Sequence, residues 1–355
     1  MGSVCLCPVA SQNQLKPIIL TLTHNEKLGD AVLRIPMYRA LRLAFPEHTI
    51  VCASAEGSAW PTTLSAVLEE FIDQVLIDQP LMSVSGVRSL VRRLGQVQYL
   101  LDLRSGRRPI PSYLATAGLP VKYISNSPGF IRRNIAGVER RPPTNAQRWH
   151  RMAEIMAGRL LPFEAELQLL PQATVEAKRL VTDRQFVLLS PGEGRFKFWD
   201  RDKWLGLASH IEDAGMRPIF LIGPPEQEQR LWIDPAGHQV IDASSAEAEL
   251  LPWVFHALAD RALAVVAAES GIGHLAATRS AALLTIAGPT NARLWRPVTP
   301  HHWVIEAREF GSTMAKDIPL KAVAERLDEI LRQRAPNTKA ARPRRSAAVT
   351  PTPSQ

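Results

Sequence analysis

Short apolar runs alternate with amphipathic segments along most of the chain, starting at residue 17. Apolar runs of about four to eight residues between turn residues are typical of buried strands, whereas apolar positions recurring every three or four residues are typical of helices. The pattern predicts strands at 18–22, 49–54, 74–77, 97–103, 121–125, 186–190, 217–223, 239–244, 262–268 and 282–288. It predicts helices at 29–44, 62–72, 84–94, 108–117, 145–158, 202–214, 225–232, 247–259, 318–334 and from 271 onward. Such alternation indicates parallel sheets with crossover helices, so the predicted fold class is α/β.

The alternation falls into two series, which indicates two doubly wound, Rossmann-like units. A chain of 355 residues is also too long for one ordinary core. The predicted organisation is a loose N-terminal extension at 1–15, a first domain at 16–165, a linker at 166–184, a second domain at 185–312, a C-terminal helix at 313–335 and a basic tail at 336–355. The tail has no acidic residue and too few apolar residues to fold, so we expect it to be disordered.

The formal charge of +8 is unevenly distributed, with 17 Lys and Arg against 10 Asp and Glu in residues 1–150. Many of these cations form clusters within 88–93, 104–108 and 132–141. Such clusters can face phosphate groups, an anionic membrane surface or nucleic acid, and they can equally be solvated surface. No helix-turn-helix, zinc or RNA-binding signature accompanies the charge, so we do not expect a nucleic-acid partner.

Membrane insertion and disulfide formation are both unexpected from the sequence. No apolar stretch reaches the roughly 18 to 20 residues that a transmembrane helix needs. Cys5, Cys7 and Cys52 offer neither an even disulfide framework nor two spaced metal-binding pairs. A reducing cytoplasm is therefore the simplest setting.

Asp30 lies directly after Gly29, at the start of the helix that follows the first predicted strand. An Asp at this position can cap the helix by accepting bonds from its free amides, which stabilises a helix by about 0.5–2 kcal/mol. In open α/β sheets, however, ligands bind beyond the carboxyl ends of strands. A carboxylate there can instead take a proton from an attacking hydroxyl group. The sequence leaves both roles open.

A second turn, "PGEGRFKFWDRDKW" at 191–204, follows the first strand of the second series. Gly192 and Gly194 would let the backbone approach a ligand, while Arg195 and Lys197 place positive charge where a diphosphate could be held. The alternative is a flexible loop. In either case we expect the tryptophans at 199 and 204 to anchor this loop to the following helix.

A third turn, "ESGIGHLAA" at 269–277, follows the strand at 262–268. Small residues in the first turn of the next helix would expose backbone amides to an anion, and the helix dipole would add about 0.3–1 kcal/mol. His274 would point toward the same place, although a His in such a helix can also be a packed, hydrogen-bonded residue.

Taken in order, these motifs resemble those of glycosyltransferase family 9, the ADP-heptose:lipopolysaccharide heptosyltransferase family. The motifs read "KLGDAVLRIPMYRALRLAFPEHTI", "LLSPGEGRFKFWDRDKW" and "ESGIGHLAATRSAALLTIAGPTN", and "DLRSGRRP" at 102–109 also suits the first domain of that family. The resemblance covers roughly residues 16–310. It implies a GT-B fold, in which two Rossmann-like doubly wound domains face each other across a cleft.

The resemblance also implies how the parts are used. The domain at 16–165 would bind mainly the acceptor and the domain at 185–312 mainly the donor, with the helix at 313–335 crossing back to the first domain. Transfer in this family is inverting and needs neither a metal nor a cofactor. The residues carried over are Asp30 as general base, Arg195, Lys197, Glu226, Glu269, Ser270, Gly271 and His274 as donor-binding residues, and Arg104 and Arg107 as acceptor-binding residues.

Two departures leave the donor sugar open. Glu26 and Lys27 stand where known heptosyltransferases carry a Ser-Ser pair, and Glu269 replaces the usual Asp of the donor turn. The sequence therefore predicts a cytoplasmic glycosyltransferase, peripheral at the inner membrane, that moves heptose from ADP-heptose onto an anionic lipopolysaccharide core or a related glycolipid. Another nucleotide sugar, a protein acceptor, or a non-catalytic nucleotide-sugar-binding role are the alternatives.

Overall fold

The structure is a computed structural model that describes residues 16–127, 129–137, 140–192, 197–279 and 281–334. The predicted N-terminal extension and basic tail lie outside the described residues. Two six-stranded sheets account for the strands. Those of the first half are β1 Ile18–Thr23, β2 Thr49–Ser54, β3 Gln74–Leu76, β4 Val97–Asp102, β5 Lys122–Ser125 and β6 Arg132–Arg133. Those of the second half are β7 Phe186–Ser190, β8 Arg217–Leu221, β9 Gln239–Ile241, β10 Ala264–Ala268, β11 Leu283–Ala287 and β12 His302–Glu306.

Helices connect the strands in both halves. They are α1 Leu28–Ala44, α2 Leu68–Phe71, α3 Val84–Leu94, α4 Ile110–Ala115, α5 Asn145–Ala157, α6 Pro171–Leu180, α7 Arg201–Asp213, α8 Arg230–Ile233, α9 Leu251–Arg261, α10 Gly271–Ala277 and α11 Leu320–Arg334. Short 3-10 helices occur at Ser65–Val67, Pro224–Gln229, Asp234–Ala236, Ala307–Phe310 and Ala315–Asp317. None of the helices in the described part of the chain is long and apolar enough to span a bilayer.

Strand order places the three turn motifs where ligands bind in doubly wound sheets. The first sheet has the order β3-β2-β1-β4-β5-β6 and the second the order β12-β11-β10-β7-β8-β9. All neighbours pair in parallel except β5 and β6. The chain reverses direction across the first sheet between β1 and β4, and across the second between β7 and β10. Ligands bind at such switch points, and α1, the turn after β7 and the turn before α10 all begin there.

The apolar strands are buried, as the sequence pattern predicts. All five residues of β7 and all five of β10 are buried, and β1 is buried after its first residue. The expected anchoring role of the tryptophans beside the 191–204 turn is confirmed. Trp199 and Trp204 are fully buried and meet edge to face at 5.0 Å, and Trp199 donates a hydrogen bond to the carbonyl of Ile318 at 2.9 Å.

The predicted linker contains a helix that the sequence reading did not place there. α6 begins with Pro171 at its first position, where a missing N–H costs nothing, and its small buried residues Ala173 and Ala177 let it pack closely on α9. Two edge strands, β6 and β12, were also not expected. Only one of the five residues of β12 is buried, and its apolar run at 303–305 is only three residues long.

The expectation that the last helix crosses back to the first domain is wrong in this structure. α11 packs on α7 and β10 of the second half, with Val323, Leu327 and Ile330 fully buried there. These residues are spaced four and three apart and so share one helix face. A Cβ on Gly206 would lie 2.6 Å from Leu320, which shows how closely α7 and α11 approach.

The two halves meet instead where α1 packs on α10, and α5 adds contacts beside them. α5 packs on α1 of the first half, and the amide of Asn145 at its start donates to the carbonyl of Leu294 in the second half at 2.9 Å. The rings of Trp149 and Trp295 also meet, with centroids 6.3 Å apart. The two halves therefore share a packed boundary beside their switch points.

Candidate active site

A cavity of about 790 Å³ lies between the carboxyl ends of the two sheets. It is lined by Lys27, Gly29 and Asp30 from the first half and by Lys197, Glu226, Ala268, Glu269, Ser270, Gly271, Gly273, His274, Thr285, Pro289, Thr290, Ala292, Trp295, Pro297 and His302 from the second. The structure thus brings together Asp30 and six of the seven residues predicted to bind the donor. The seventh, Arg195, lies outside the described residues.

Asp30 is not the cap of α1. Lys27 occupies the N-cap position, and Asp30 lies in the first turn, half-buried at the edge of the cavity. Among the described residues, none donates a hydrogen bond to its carboxylate. The positive end of the helix dipole favours its negative charge by about 0.3–1 kcal/mol. The Asp30 carboxylate therefore lies beside the cavity and is not occupied by hydrogen bonds to the backbone of α1.

A buried ion pair lies behind Asp30. The guanidinium of Arg34, one helical turn after Asp30, pairs with the carboxylate of Glu26, which also accepts a hydrogen bond from the Ser58 hydroxyl at 2.7 Å. The Arg34 guanidinium lies 4.6 Å from the centre of the Trp149 ring. Burial opposes the charge of Arg34, but the carboxylates of Glu26 and Asp30 outweigh it and raise its pKa.

The turn before α10 is held by its own polar side chains. Ser270 is the N-cap of α10, and its hydroxyl accepts a hydrogen bond from the Gly273 amide at 3.4 Å. The Glu269 carboxylate accepts from the Gly288 amide at 3.3 Å, which ties the turn to the loop after β11. Burial raises the pKa of Glu269, with Lys197 pulling in the opposite direction. Glu269 thus ties the turn to the loop after β11, and the positive charge of Lys197 opposes the rise of its pKa.

Two neutral histidines form part of the cavity wall. Burial lowers the pKa of His274 to about 4, aided by His302 and Lys197, and burial together with Arg296 lowers the pKa of His302 to about 4. The Nδ1 atom of His274 is buried and has no hydrogen-bond partner in the described part of the chain. The Nε2 atom of His302 lies 3.0 Å from the Thr285 hydroxyl. At neutral pH this wall offers uncharged hydrogen-bonding groups.

Two glycines let α1 and α10 touch end to end. A Cβ on Gly29 would lie 2.8 Å from Cδ2 of His274, and a Cβ on Gly271 would lie 2.9 Å from Cβ of Leu28. Real side chains essentially never come this close, so a methyl group at either position would have to displace its neighbour on the other helix. The two switch points are therefore in direct contact at the floor of the cavity.

The turn after β7 approaches the α10 turn closely. Gly192 has φ +68°, and a Cβ there would lie 3.2 Å from that of Ala268. The Gln229 side chain donates to the Gly192 carbonyl at 2.6 Å. Lys197, which follows, is near enough to lower the pKa of both Glu269 and His274. The sequence predicted that the backbone at Gly192 approaches a ligand; the close approach seen here is made to Ala268 of the protein's own strand.

The two residues predicted to bind the acceptor do not line the cavity. Arg104 is buried, and its guanidinium donates to both carboxylate oxygens of Asp102, at 2.8 and 2.6 Å, and to the Leu81 carbonyl at 2.9 Å. A guanidinium enclosed in this way stabilises the fold and is not accessible to an acceptor. The prediction that Arg104 binds the acceptor is therefore wrong. Arg107 is exposed outside the cavity.

Several lining residues were not expected from the sequence, namely Lys27, Thr285, Trp295 and His302. Trp295 ends the "AGPTNARLW" stretch and could have been included with that loop. His302 begins an edge strand that the apolar pattern did not reveal, so no local signal pointed to it. Within the described ranges, no group of three or more His, Cys, Asp or Glu side chains is placed to hold a metal ion.

Comparison with known proteins gives the family. The family model for glycosyltransferase family 9 (heptosyltransferase) matches residues 144–322, which is about half of the chain. The glycosyl transferase family 9 structure from Veillonella parvula DSM 2008 has a TM-score of 0.64 at 16% identity, covering 90% of this chain and 99% of that one. No curated protein sequence matches significantly.

Two Escherichia coli structures are also similar. ADP-heptose lps heptosyltransferase II has a TM-score of 0.60 at 16% identity, covering 89% of this chain and 99% of its own. Heptosyltransferase WaaC with ADP has a TM-score of 0.59 at 17% identity, covering 88% of this chain and 100% of its own. These structures share the GT-B fold of this chain. The chain belongs to glycosyltransferase family 9 and is a glycosyltransferase.

Proposed function

We propose that the protein is an inverting, metal-independent transferase that moves heptose from ADP-heptose onto a lipopolysaccharide core or a related anionic glycolipid. The observation that carries this proposal is one cavity with a carboxylate from the first half, Asp30, opposite Lys197 and the 269–274 turn from the second half. The names of the two E. coli structures support the choice of ADP-heptose as donor. In this proposal residues 16–165 receive the acceptor and residues 185–312 hold the donor.

Asp30 acts as general base. Its carboxylate borders the cavity without a hydrogen bond from any residue the structure describes, so it is available to accept a proton from an acceptor hydroxyl. The hydroxyl oxygen then forms a bond to the anomeric carbon on the face opposite the nucleotide, and the bond from that carbon to the diphosphate oxygen breaks. Base catalysis of this kind contributes about 10²–10⁴-fold to a rate.

The departing diphosphate gains negative charge in that step, and the second half supplies the groups that stabilise it. Lys197 provides a cation, and the turn at 269–271 provides backbone amides beside it. Preorganised groups of this kind replace the need for a divalent ion at the leaving group. Arg195 is proposed to add a second cation, and Glu226, which also lines the cavity, is proposed to contact the ribose.

The nucleoside fits the neutral part of the cavity. His274 and His302 stay uncharged at neutral pH because burial depresses the pKa of each to about 4. Trp295 and Pro297 add apolar surface to the same wall. A flat, uncharged, hydrogen-bonding group such as a nucleobase matches this wall, while the phosphates match Lys197.

A donor panel tests the proposal. Purified protein is incubated with ADP-heptose and with UDP- and GDP-sugars, together with a heptose-deficient lipopolysaccharide acceptor, and the product is identified by mass spectrometry. We expect transfer from ADP-heptose with inversion, and undiminished transfer in the presence of EDTA. Turnover with UDP-sugars alone, or transfer to a protein acceptor alone, would reject the heptose assignment.

A Lys197→Met variant separates binding from chemistry. Because Lys197 faces the diphosphate in this proposal, we expect the affinity for ADP to fall by about tenfold or more, in line with a charge-assisted hydrogen bond. Lys203, on α7, is the matched control because it donates to the carbonyls of Lys316 and Ile318 and does not line the cavity. The Lys203→Met variant should bind ADP like the wild type.

A further inference from the structure

The chain segment from residue 79 to 137 has an extreme charge imbalance. It contains nine basic residues, Arg88, Arg92, Arg93, Arg104, Arg107, Arg108, Lys122, Arg132 and Arg133, and one acidic residue, Asp102. That single carboxylate is buried and paired with Arg104. Every other cation of the segment is therefore left without an acidic neighbour from within it.

Exposed apolar side chains occupy the same segment. Met82 is 56% exposed, Ile110 51% and Leu114 49%, and Val84 and Ile131 are also exposed. Ile110 and Leu114 are four residues apart on α4 and so share one helix face. Large apolar side chains on a soluble surface are ordinary when scattered, but a group of them beside unpaired cations indicates a binding surface.

Side-chain hydrogen bonds hold the helices that carry these residues side by side. Arg104 donates both to the Leu81 carbonyl, just before α3, and to the Ser112 hydroxyl of α4, at 2.9 and 3.4 Å. Farther along, Arg88 of α3 donates to the carbonyls of Ala115 and Ala117 at 3.2 and 2.8 Å. The exposed residues of 82–93 and 107–114 therefore belong to one continuous surface, called here the α3–α4 face.

The charged members of the α3–α4 face are open to solvent. Arg92, Arg93, Arg107 and Arg108 are exposed, and none of them forms an ion pair with a residue of the described chain. The starts of α3 and α4 follow β3 and β4, whose carboxyl ends lie at the same sheet edge as that of β1. The face covers the side of the first sheet opposite α1, and only the starts of α3 and α4 reach the edge at which Asp30 lies.

We propose that the α3–α4 face docks on an anionic lipid bilayer, with Ile110, Leu114 and Met82 entering the interface and the arginines contacting lipid head groups. Aliphatic side chains flanked by cations fit a lipid surface, in which apolar burial and attraction to anionic head groups act together. Nucleic acid would match the charge but leave the aliphatic side chains unused. The inference rests on the proposed function in one respect, since it is a glycolipid acceptor that would require the protein to work at a bilayer.

Sedimentation of the full chain with lipid vesicles tests the docking. The probes are vesicles of phosphatidylcholine alone and vesicles of phosphatidylcholine mixed with phosphatidylglycerol. We expect binding to the mixed vesicles only. An Arg92→Glu/Arg108→Glu variant should lose at least about 25-fold in affinity, because each cation near an anionic surface strengthens binding about fivefold. An Ile110→Ser/Leu114→Ser variant should also bind more weakly, and more so at high salt, where the electrostatic part is screened.

Matched controls lie away from the α3–α4 face. Leu231 is 80% exposed, so Leu231→Ser removes an equally accessible apolar side chain, and Lys178→Glu/Arg184→Glu reverses two exposed cations. Both variants should bind like the wild type, and all variants should keep the wild-type melting temperature and ADP affinity. Equal binding to both vesicle types, unchanged binding by the Arg92→Glu/Arg108→Glu variant, or equal losses in the controls would overturn the proposal. Failure of the donor panel alongside intact vesicle binding would instead reject the proposed reaction.

Discussion

Gly29 and His274 meet across the boundary between the two sheets, with the imidazole ring of His274 occupying the space that a Cβ on Gly29 would need. The reciprocal contact, between Gly271 and Leu28, lies beside it. Both contacts join the first turn of α1 to the first turn of α10. The residue proposed as base and the turn proposed to hold the diphosphate are therefore fixed relative to each other by direct packing.

Replacing Gly29 or Gly271 by alanine should disturb this geometry, and the two substitutions should do so to different degrees. In Gly29→Ala the new methyl group meets the ring of His274, which can rotate, whereas in Gly271→Ala it meets the Cβ of Leu28, which moves only with its backbone. A displacement of about 1 Å at a catalytic centre can cost about 10²-fold in rate. We expect Gly271→Ala to lower kcat/KM by about that factor and Gly29→Ala by less, as measured by steady-state transfer.

Gly57 provides the control for both substitutions. A Cβ there meets no atom within 4 Å, and the residue is not in the left-handed region. Gly57→Ala should therefore keep the wild-type rate. If Gly271→Ala were as active as Gly57→Ala, the two helix ends would not be held in the contact described.

Removing one partner of the ion pair between Glu26 and Arg34 should strongly destabilise the protein. Glu26→Gln leaves the buried Arg34 without its counter-charge, and removing one partner of a buried pair costs about 3–5 kcal/mol. Chemical denaturation should show this loss in the free energy of unfolding. In the double variant Glu26→Gln/Arg34→Met the loss should be smaller than the sum of the two single losses.

An exposed ion pair on α11 is the reference. Lys321 and Glu325 have side chains 84% and 64% exposed, and such surface pairs contribute roughly 0–1 kcal/mol. Glu325→Gln should therefore change the free energy of unfolding by less than about 1 kcal/mol. Strict additivity in the Glu26 and Arg34 cycle would argue against a coupled pair.

Stability should fall as the solution is acidified below neutral pH, in part because of His256. This residue is buried on α9, its Nε2 atom lies 3.0 Å from the Thr278 hydroxyl, and burial lowers its pKa to about 4. In the unfolded chain a His takes up its proton near pH 6.5. Between these two values the unfolded state binds more protons, so the free energy of unfolding decreases as pH falls.

The size of this effect follows from the difference in pKa. For His256 the lost stability should approach about 3 kcal/mol by pH 4, at about 1.4 kcal/mol per pKa unit. Replacing His256 by Gln, which can still bond to Thr278, should flatten the pH dependence of the unfolding free energy over this window. His301→Gln, at an exposed position, controls for the substitution itself. An unchanged pH dependence in the His256→Gln variant would contradict a neutral buried imidazole.

The sequence revealed the interior of both sheets because their strands are continuous apolar runs. Strands such as β7 and β10 are buried along their whole length, which leaves an unmistakable pattern. β12 is half-exposed at the sheet edge, and α6 begins with a proline within the stretch predicted as a linker, so the sequence pattern revealed neither element. The packing of α11 depends on which apolar face receives it, and that cannot be read from the helix's own period.

For the site, the turns after strands were informative because parallel strands place their carboxyl ends together. Asp30, Lys197 and His274 were found by this rule and do line one cavity. Arg104 follows the same rule but is drawn into a buried pair with Asp102, two residues earlier. A basic side chain after a strand can face either a ligand or the core. Which of the two it faces depends on how deeply its neighbours are buried, and the local sequence does not specify that burial.

The replacement Asp30→Asn tests the central claim most directly, through transfer rate and donor affinity measured on the same preparation. If Asp30 is the base, kcat should fall by about 10²–10⁴-fold while ADP affinity and melting temperature stay at wild-type values. Asp78→Asn is the control, because Asp78 is exposed and its φ of +55° suits asparagine. A near wild-type rate for Asp30→Asn, or a loss of rate that only follows a loss of ADP binding, would contradict the account.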